Sequence, residues 1–203
     1  MRSITTLAIL ATMAAAPLAA QVRGLPVVNN GVPTGIGLAA DVGFANQDFG
    51  KATTFGVSAA VGLGFVGIGG AVSRTEPDNG PSGYSQAVSA SLNILGGPLV
   101  PIRVTVLAGV GQWKAGSETV RHIPVSLGLS ATIPIPALSI KPWIAPRFDR
   151  VSVSNGGSDN RCGIAGGIEL AMLNGLSLRA SYDRLFVSNL KPGIFSIGVG
   201  FAP

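Results

Sequence analysis

The chain has 203 residues, of which 47% are hydrophobic and 11% are charged, and its formal net charge is +5. This length indicates one domain, and a charged fraction of less than half the usual value of roughly 25% argues against a soluble globular protein. The 29 glycines and 14 prolines argue against long helices. After the first twenty residues the sequence contains no run of about 18 apolar residues, so no transmembrane helix is predicted. The basic residues are dispersed, so nucleic-acid binding has no support.

The start of the chain has the pattern of a secretory signal peptide. Arg2 gives a positive start, residues 7–16 are apolar, and small residues precede Gln21. We predict a signal peptide over residues 1–20, export from the cytoplasm, and a short periplasmic segment over residues 21–33. Cys162 is the only cysteine, so an intrachain disulfide is excluded.

The remaining sequence alternates between apolar residues and small or polar residues with a period of two, which predicts β-strands. The connections between the segments are alternately longer and polar, then shorter, as in a barrel with two unlike ends. Ten strands are predicted, over residues 34–46, 52–63, 65–75, 84–95, 102–114, 121–133, 139–153, 162–172, 176–187 and 193–202.

The two faces of each predicted strand differ in a way that suits a membrane. One face is aliphatic, and the other is made of Gly, Ser and Ala with few charges, whereas the polar face of a soluble sandwich carries many Lys, Glu and Asp. We therefore predict an all-β, antiparallel up-and-down transmembrane β-barrel over residues 34–203. Ten strands are counted, and eight strands are the alternative.

Charged residues within the strands fall on the small-residue face, so they are predicted to line the lumen, where they can pair. If 173–175 is a three-residue turn with Gly175 in the left-handed conformation, Glu169 lies opposite Arg179, and we predict an ion pair between them. The predicted lumen charges are Asp41, Arg103, Lys141, Arg147, Asp149, Glu169, Arg179 and Asp183.

Aromatic residues are concentrated near the ends of the predicted strands, as in the aromatic belts at the two membrane interfaces. The belt next to the longer loops is predicted to contain Phe44, Phe55, Tyr84, Trp113, Phe148, Tyr182, Phe186 and Phe195, and the belt next to the shorter turns Phe65, Trp143 and Phe201.

Three motifs in the carboxyl-terminal half carry a family resemblance: GIAGGIEL at 163–170, LSLRASYD at 176–183 and FSIGVGF at 195–201. With them, the chain resembles the small bacterial outer-membrane β-barrel proteins of the opacity and attachment type. The resemblance implies a bacterial outer membrane of the Gram-negative type, outer-membrane lipid as the surroundings, and the barrel-assembly machinery as a partner that reads an aromatic residue near the end, here Phe201.

The predicted function is a structural or interaction role as a monomer in the outer membrane, with no enzymatic activity. A narrow pore or carrier for small solutes is the alternative, and a soluble exported ligand-binding barrel would need a more charged outer face. His122, with Ser117 and Glu118, is the one candidate catalytic cluster, and its spacing is too short for a catalytic set. No cofactor is predicted, and one His and one Cys give metal binding no support.

Overall fold

The computed structural model describes residues 22–96, 101–115, 117–154, 156–188 and 190–202. The predicted signal peptide lies outside these residues. Among the residues described, no helix is long and apolar enough to cross a membrane. Eleven strands are formed: β1 (Gly35–Ala45), β2 (Ala52–Leu63), β3 (Val66–Pro77), β4 (Gly83–Leu95), β5 (Ile102–Ala115), β6 (Glu118–Ala131), β7 (Ile133–Ile135), β8 (Leu138–Val153), β9 (Ser158–Met172), β10 (Leu176–Phe186) and β11 (Gly193–Phe201).

The strands form one closed antiparallel barrel. Consecutive strands pair with each other except β6 and β7, β1 also pairs with β11, and β6 pairs with β8. The short β7 continues the line of β6 after a break at Thr132 and pairs with the start of β8. The wall therefore has ten strands, which confirms the prediction of ten and excludes eight.

The barrel has two ends, which we name by their connections. At the long-loop end β1 is joined to β2, β3 to β4, β5 to β6, β8 to β9 and β10 to β11, and the connection 46–51 contains a 3-10 helix, Gln47–Phe49. Lys51 joins two of these loops through an ion pair of 2.6 Å with Asp78, and this hydrogen bond raises the pKa of Lys51. At the opposite, short-turn end β2 is joined to β3, β4 to β5, β7 to β8 and β9 to β10.

The predicted alternation of faces is present along the strands. In β6, Leu127 and Leu129 are about half exposed, whereas Ser126 and Ser130 on the other face are buried. Isoleucine, leucine, valine and phenylalanine side chains cover the outside of the wall in the same way on every strand from β1 to β11. The aliphatic face therefore points outward and does not converge on a shared core.

The turn between β9 and β10 has the predicted form. Gly175 has a φ of 84°, and its N–H donates to the carbonyl of Met172. The register pairs Arg179 with Glu169, as the three-residue turn requires.

The main departure from the sequence prediction is the position of the segment before β1. Residues 22–33 were expected in the periplasm, outside the barrel. The structure places them inside the lumen, where Val22, Leu25, Val27 and Val32 are all buried. We call residues 22–33 the luminal segment.

Candidate functional site

The luminal segment begins beneath the long-loop end with a turn. Arg23 and Gly24 form this turn, and the Arg23 guanidinium lies 4.2 Å from the ring centre of Trp113 and 5.4 Å from that of Phe49. The carbonyl of Arg23 accepts hydrogen bonds from Ser73 and Thr75 on β3. Cation–π stacking and these hydrogen bonds fix the turn to the wall near the long-loop end.

From this turn the segment runs along the barrel axis to the short-turn end, and polar groups of the wall bind its backbone and amides. The Val27 N–H donates to Asp183 over 3.1 Å, and the Asn29 amide donates to the Ser126 hydroxyl over 3.0 Å. Near the other end, Asn30 donates to Glu169 over 3.0 Å. Because an extended segment has no hydrogen bonds of its own, these wall residues satisfy groups that burial would otherwise leave unpaired.

Two glycines of the wall show how closely the segment approaches. A Cβ atom at Gly128 would lie 2.4 Å from the carbonyl oxygen of Asn29, and one at Gly62 would lie 1.7 Å from that of Pro33. These distances exclude any side chain. The abundance of glycine on the lumen face thus makes room for the segment, and it is the one sequence signal that something else fills the lumen.

Apolar side chains complete the packing of the segment. Val22 and Leu25 form a buried cluster with Ala87, and Val28 packs against the cluster that contains Trp143. The segment is therefore held by apolar contacts as well as by hydrogen bonds.

Arg147 lies at the centre of the polar wall. Its guanidinium is 3.1 Å from Asp149 and 2.9 Å from Asp183, and all three side chains are almost fully buried. His122 is 3.6 Å from the same Asp149 carboxylate. His122 thus faces into the lumen toward a carboxylate, and not toward Ser117 and Glu118 as a rim cluster would require.

Glu169 and Arg179 are neighbours in register but do not form the predicted ion pair. Arg179 binds Asp41, with its Nε 2.6 Å from the carboxylate, and Lys141 binds Glu169 over 3.1 Å. The cause is Gly198, which lies between Arg179 and Asp41 in the sheet. Since Gly198 has no side chain, Arg179 reaches across it to β1.

Arg103 is the member of the lumen set that has no ion pair among the described residues. Its Nε atom is buried without a hydrogen-bond partner there. The predicted lumen residues lie on the inner face as two groups plus this arginine. The first group is Arg147, Asp149 and Asp183, and the second group is Asp41, Lys141, Glu169 and Arg179.

A cavity of about 440 Å³ remains beside the luminal segment. The residues that line it include both ion pairs of the second group, Arg103, and serines from several strands. The arrangement can hold water or a small polar solute, and within the described residues it contains no cluster able to bind a metal ion.

Nine of the eleven aromatic residues assigned to the belts lie on the outer face, and two do not. Trp113 and Trp143 are 8% and 6% exposed and face the lumen, so their assignment to the belts is corrected here. Both fall on the inner face by alternation, and both contact the luminal segment or its cluster. The other residues assigned to the belts are exposed on the outside: Phe44, Phe55, Tyr84, Phe148, Tyr182, Phe186, Phe195, Phe65 and Phe201.

Comparisons with known proteins support the fold alone. No protein-family model and no curated protein matches the chain. The β domain of the Bordetella autotransporter Brka has a similar structure, at a TM-score of 0.53 and 12% identity, over 83% of this chain and 98% of that one. The amino-terminal β-barrel domain of Pseudomonas aeruginosa OprF (TM-score 0.41, 15% identity) covers 83% of this chain and 97% of its own.

A third similar structure corrects one prediction. The outer membrane enzyme PagL covers 82% of this chain and 99% of its own, at a TM-score of 0.42 and 16% identity. The sequence-based prediction that the chain is not an enzyme is therefore wrong as an inference from its barrel class, because an enzyme is found among the similar barrels. At this identity the likeness assigns no activity to this chain.

Proposed function

We propose that the chain is an integral outer-membrane β-barrel, closed by its own luminal segment, with a structural and interaction role. The outer wall supports placement in lipid. On β5 the outward residues from Ile102 to Val110 are all apolar, a length of about 27 Å along a strand. A strand tilt of about 40° reduces this to about 21 Å, close to the apolar band of roughly 25 Å in such barrels.

The observation that carries the closed state is the position of the luminal segment. Residues 22–33 occupy the lumen and leave a cavity of about 440 Å³ beside them. Arg23 is stacked at the long-loop end, and Val32 donates its N–H to Asn93 at the short-turn end. With the lumen filled, contacts with other molecules are left to the outer wall and the loops, consistent with the attachment-type role that the family resemblance implies.

Several parts of this proposal follow from the sequence and the barrel form. Outer-membrane lipid would surround the protein, the barrel-assembly machinery would act on β11, and one chain would suffice because the wall is closed. Export would require the signal peptide predicted at residues 1–20.

A narrow pore is a second candidate, and the cavity beside the segment favours it. This cavity is lined by Arg103 and by the ion pairs of Asp41 with Arg179 and Lys141 with Glu169. A polar route of this kind could pass small solutes if the segment shifted.

Planar-bilayer conductance of the full chain tests the closed barrel. We expect the native protein to insert and conduct almost nothing, and Asn29→Ala/Asn30→Ala to open frequently, since it loses the amide bonds to Ser126 and Glu169. The matched control Asn79→Ala/Asn160→Ala removes two exposed amides outside the lumen. A steady open channel in the native protein would replace this proposal with the pore, and failure to insert would overturn the membrane assignment.

The interaction role has its own test. Replacing the loop residues 78–82 by a Gly-Ser sequence of equal length should abolish attachment of displaying cells to a surface or to other cells, while heat-modifiable gel mobility stays native. Unchanged attachment would remove the support for a loop-mediated role.

A further inference from the structure

The charges on the outer wall are distributed very unevenly between the two ends of the barrel. By the alternation of each described strand, six charged side chains point outward, and every one lies near the long-loop end. Toward the short-turn end the outward residues of the described strands are uncharged. The six outward charges are Arg74, Glu76, Lys114, Arg121, Arg150 and Arg184.

Four of the five outward cations form one continuous patch. Arg74 pairs in register with Tyr84, and Tyr84 with Lys114. Arg121 lies beside Gln112 on the next strand, one outward position below Lys114, and Arg150 lies diagonal to Arg121. Outward neighbours on adjacent strands are within reach of long side chains. We call Arg74, Lys114, Arg121 and Arg150 the basic patch.

The basic patch is poorly neutralised by the protein. Glu76 is the one acidic outward residue among those described, and it binds Arg74 over 3.0 Å. Lys114 and Arg121 are exposed and have no hydrogen bond or ion pair with any described residue. The polar neighbours Gln86 and Gln112 lie in the same zone and are donors as well.

The position of the patch along the barrel axis indicates which kind of partner it binds. The patch begins on β5 just above Val110, where the apolar outer surface ends, and Tyr84 in its middle is exposed as expected at a membrane interface. Lysine and arginine at this level extend along the hydrocarbon and place their charges among the headgroups. Arginine also binds phosphate through two parallel N–H donors.

We propose that the basic patch is a binding site for the phosphate groups of anionic lipids in the leaflet at the long-loop end. The partner is a membrane lipid, because the cations stand on the outer wall, directly above aliphatic side chains that contact acyl chains. This inference rests on the proposed membrane placement. It adds an orientation: the leaflet richer in phosphate-bearing headgroups surrounds the long-loop end.

Lipid retention in detergent tests the proposal. The purified full chain in a neutral detergent is mixed with phosphatidic acid or with diacylglycerol of the same acyl chains, and bound lipids are counted by native mass spectrometry. We expect clear retention of phosphatidic acid that declines with salt, and retention of diacylglycerol that is weaker by about thirtyfold or more. Equal retention of both lipids would overturn the proposal.

Two matched variants locate the site. Lys114→Gln/Arg121→Gln should lower retention of phosphatidic acid about tenfold or more. Lys51→Gln/Lys191→Gln removes the same charge from loops at the same end and should retain lipid like the native protein. If both double variants lose retention equally, net charge and not the patch binds lipid, and the proposal fails. If the chain inserts into vesicles but shows no preference for phosphate, this inference alone is wrong. If the chain does not insert, the proposed function is wrong.

Discussion

The inner and outer faces of the wall are built from opposite chemistry on the same strands. In β8, Arg147 and Asp149 point inward and are buried, and Phe148 between them points outward and is 45% exposed. A strand of a soluble protein would reverse this pattern. The comparison shows that each strand serves two surroundings, and that the buried interior of this molecule is polar and paired.

The two faces should therefore respond to substitution for different reasons. On the inner face, a change removes a partner from a buried group, and the cost is that of an unpaired charge or amide. On the outer face, the aliphatic side chains have no specific partner, so a change matters when it introduces charge into hydrocarbon.

Loss of the central guanidinium should have the largest effect. Arg147→Leu leaves Asp149 and Asp183 buried without their cation, and we expect a loss of about 3–5 kcal/mol in the free energy of unfolding. Urea unfolding in lipid vesicles measures this loss. Arg161→Leu, which removes a rim cation paired with Asp159, should cost less than about 1 kcal/mol. Equal losses would contradict a paired interior.

A new charge on the aliphatic face should cost somewhat less. Leu127→Arg places a guanidinium on the outer wall of β6, and we expect a loss of about 2–4 kcal/mol near the bilayer midplane. Gln112→Arg places the same group in the polar zone of β5, where we expect about 0–1 kcal/mol. The same unfolding assay compares them, and a neutral Leu127→Arg would show that this face does not contact lipid.

A β-branched side chain on the inner face should have the smallest effect of the three. Gly128→Val would collide with the backbone of Asn29, and we expect a loss of about 1–3 kcal/mol as the luminal segment shifts. Gly70→Val points outward, where the nearest atom is 3.5 Å from the added Cβ, and should be close to neutral. A shifted segment would also change the fluorescence of Trp113, which stacks on Arg23. Identical stability of the two valine variants would contradict the close contact.

The sequence was enough to predict the wall but not its contents. Alternation located the strands, and the turn at Gly175 set the register of Glu169 against Arg179 correctly. The partners of these two residues could not be predicted, because they depend on Gly198 and Lys141 from other strands. The position of Trp113 and Trp143 near strand ends predicts belt residues, whereas alternation places both inside.

The luminal segment was missed for a related reason. Residues 22–33 have no strand period and lie next to a predicted signal peptide, a pattern that favours a short periplasmic segment. Their burial depends on glycines such as Gly62 and Gly128 in other strands, which a local pattern does not reveal. The local sequence of a strand determines which of its faces is apolar. The occupant of the lumen depends on the whole chain.

The hydrogen bond between Val27 and Asp183 has a consequence for how the protein acquires its native state. These two residues are 156 positions apart, so one of the earliest residues described is bound by one of the last strands to be synthesised. Contacts of such long range form slowly, and the binding site for the segment is incomplete until β10 has formed. Docking of the segment is then a late event, and quenching or recovery of Trp113 emission should lag behind the growth of β-sheet circular dichroism during refolding.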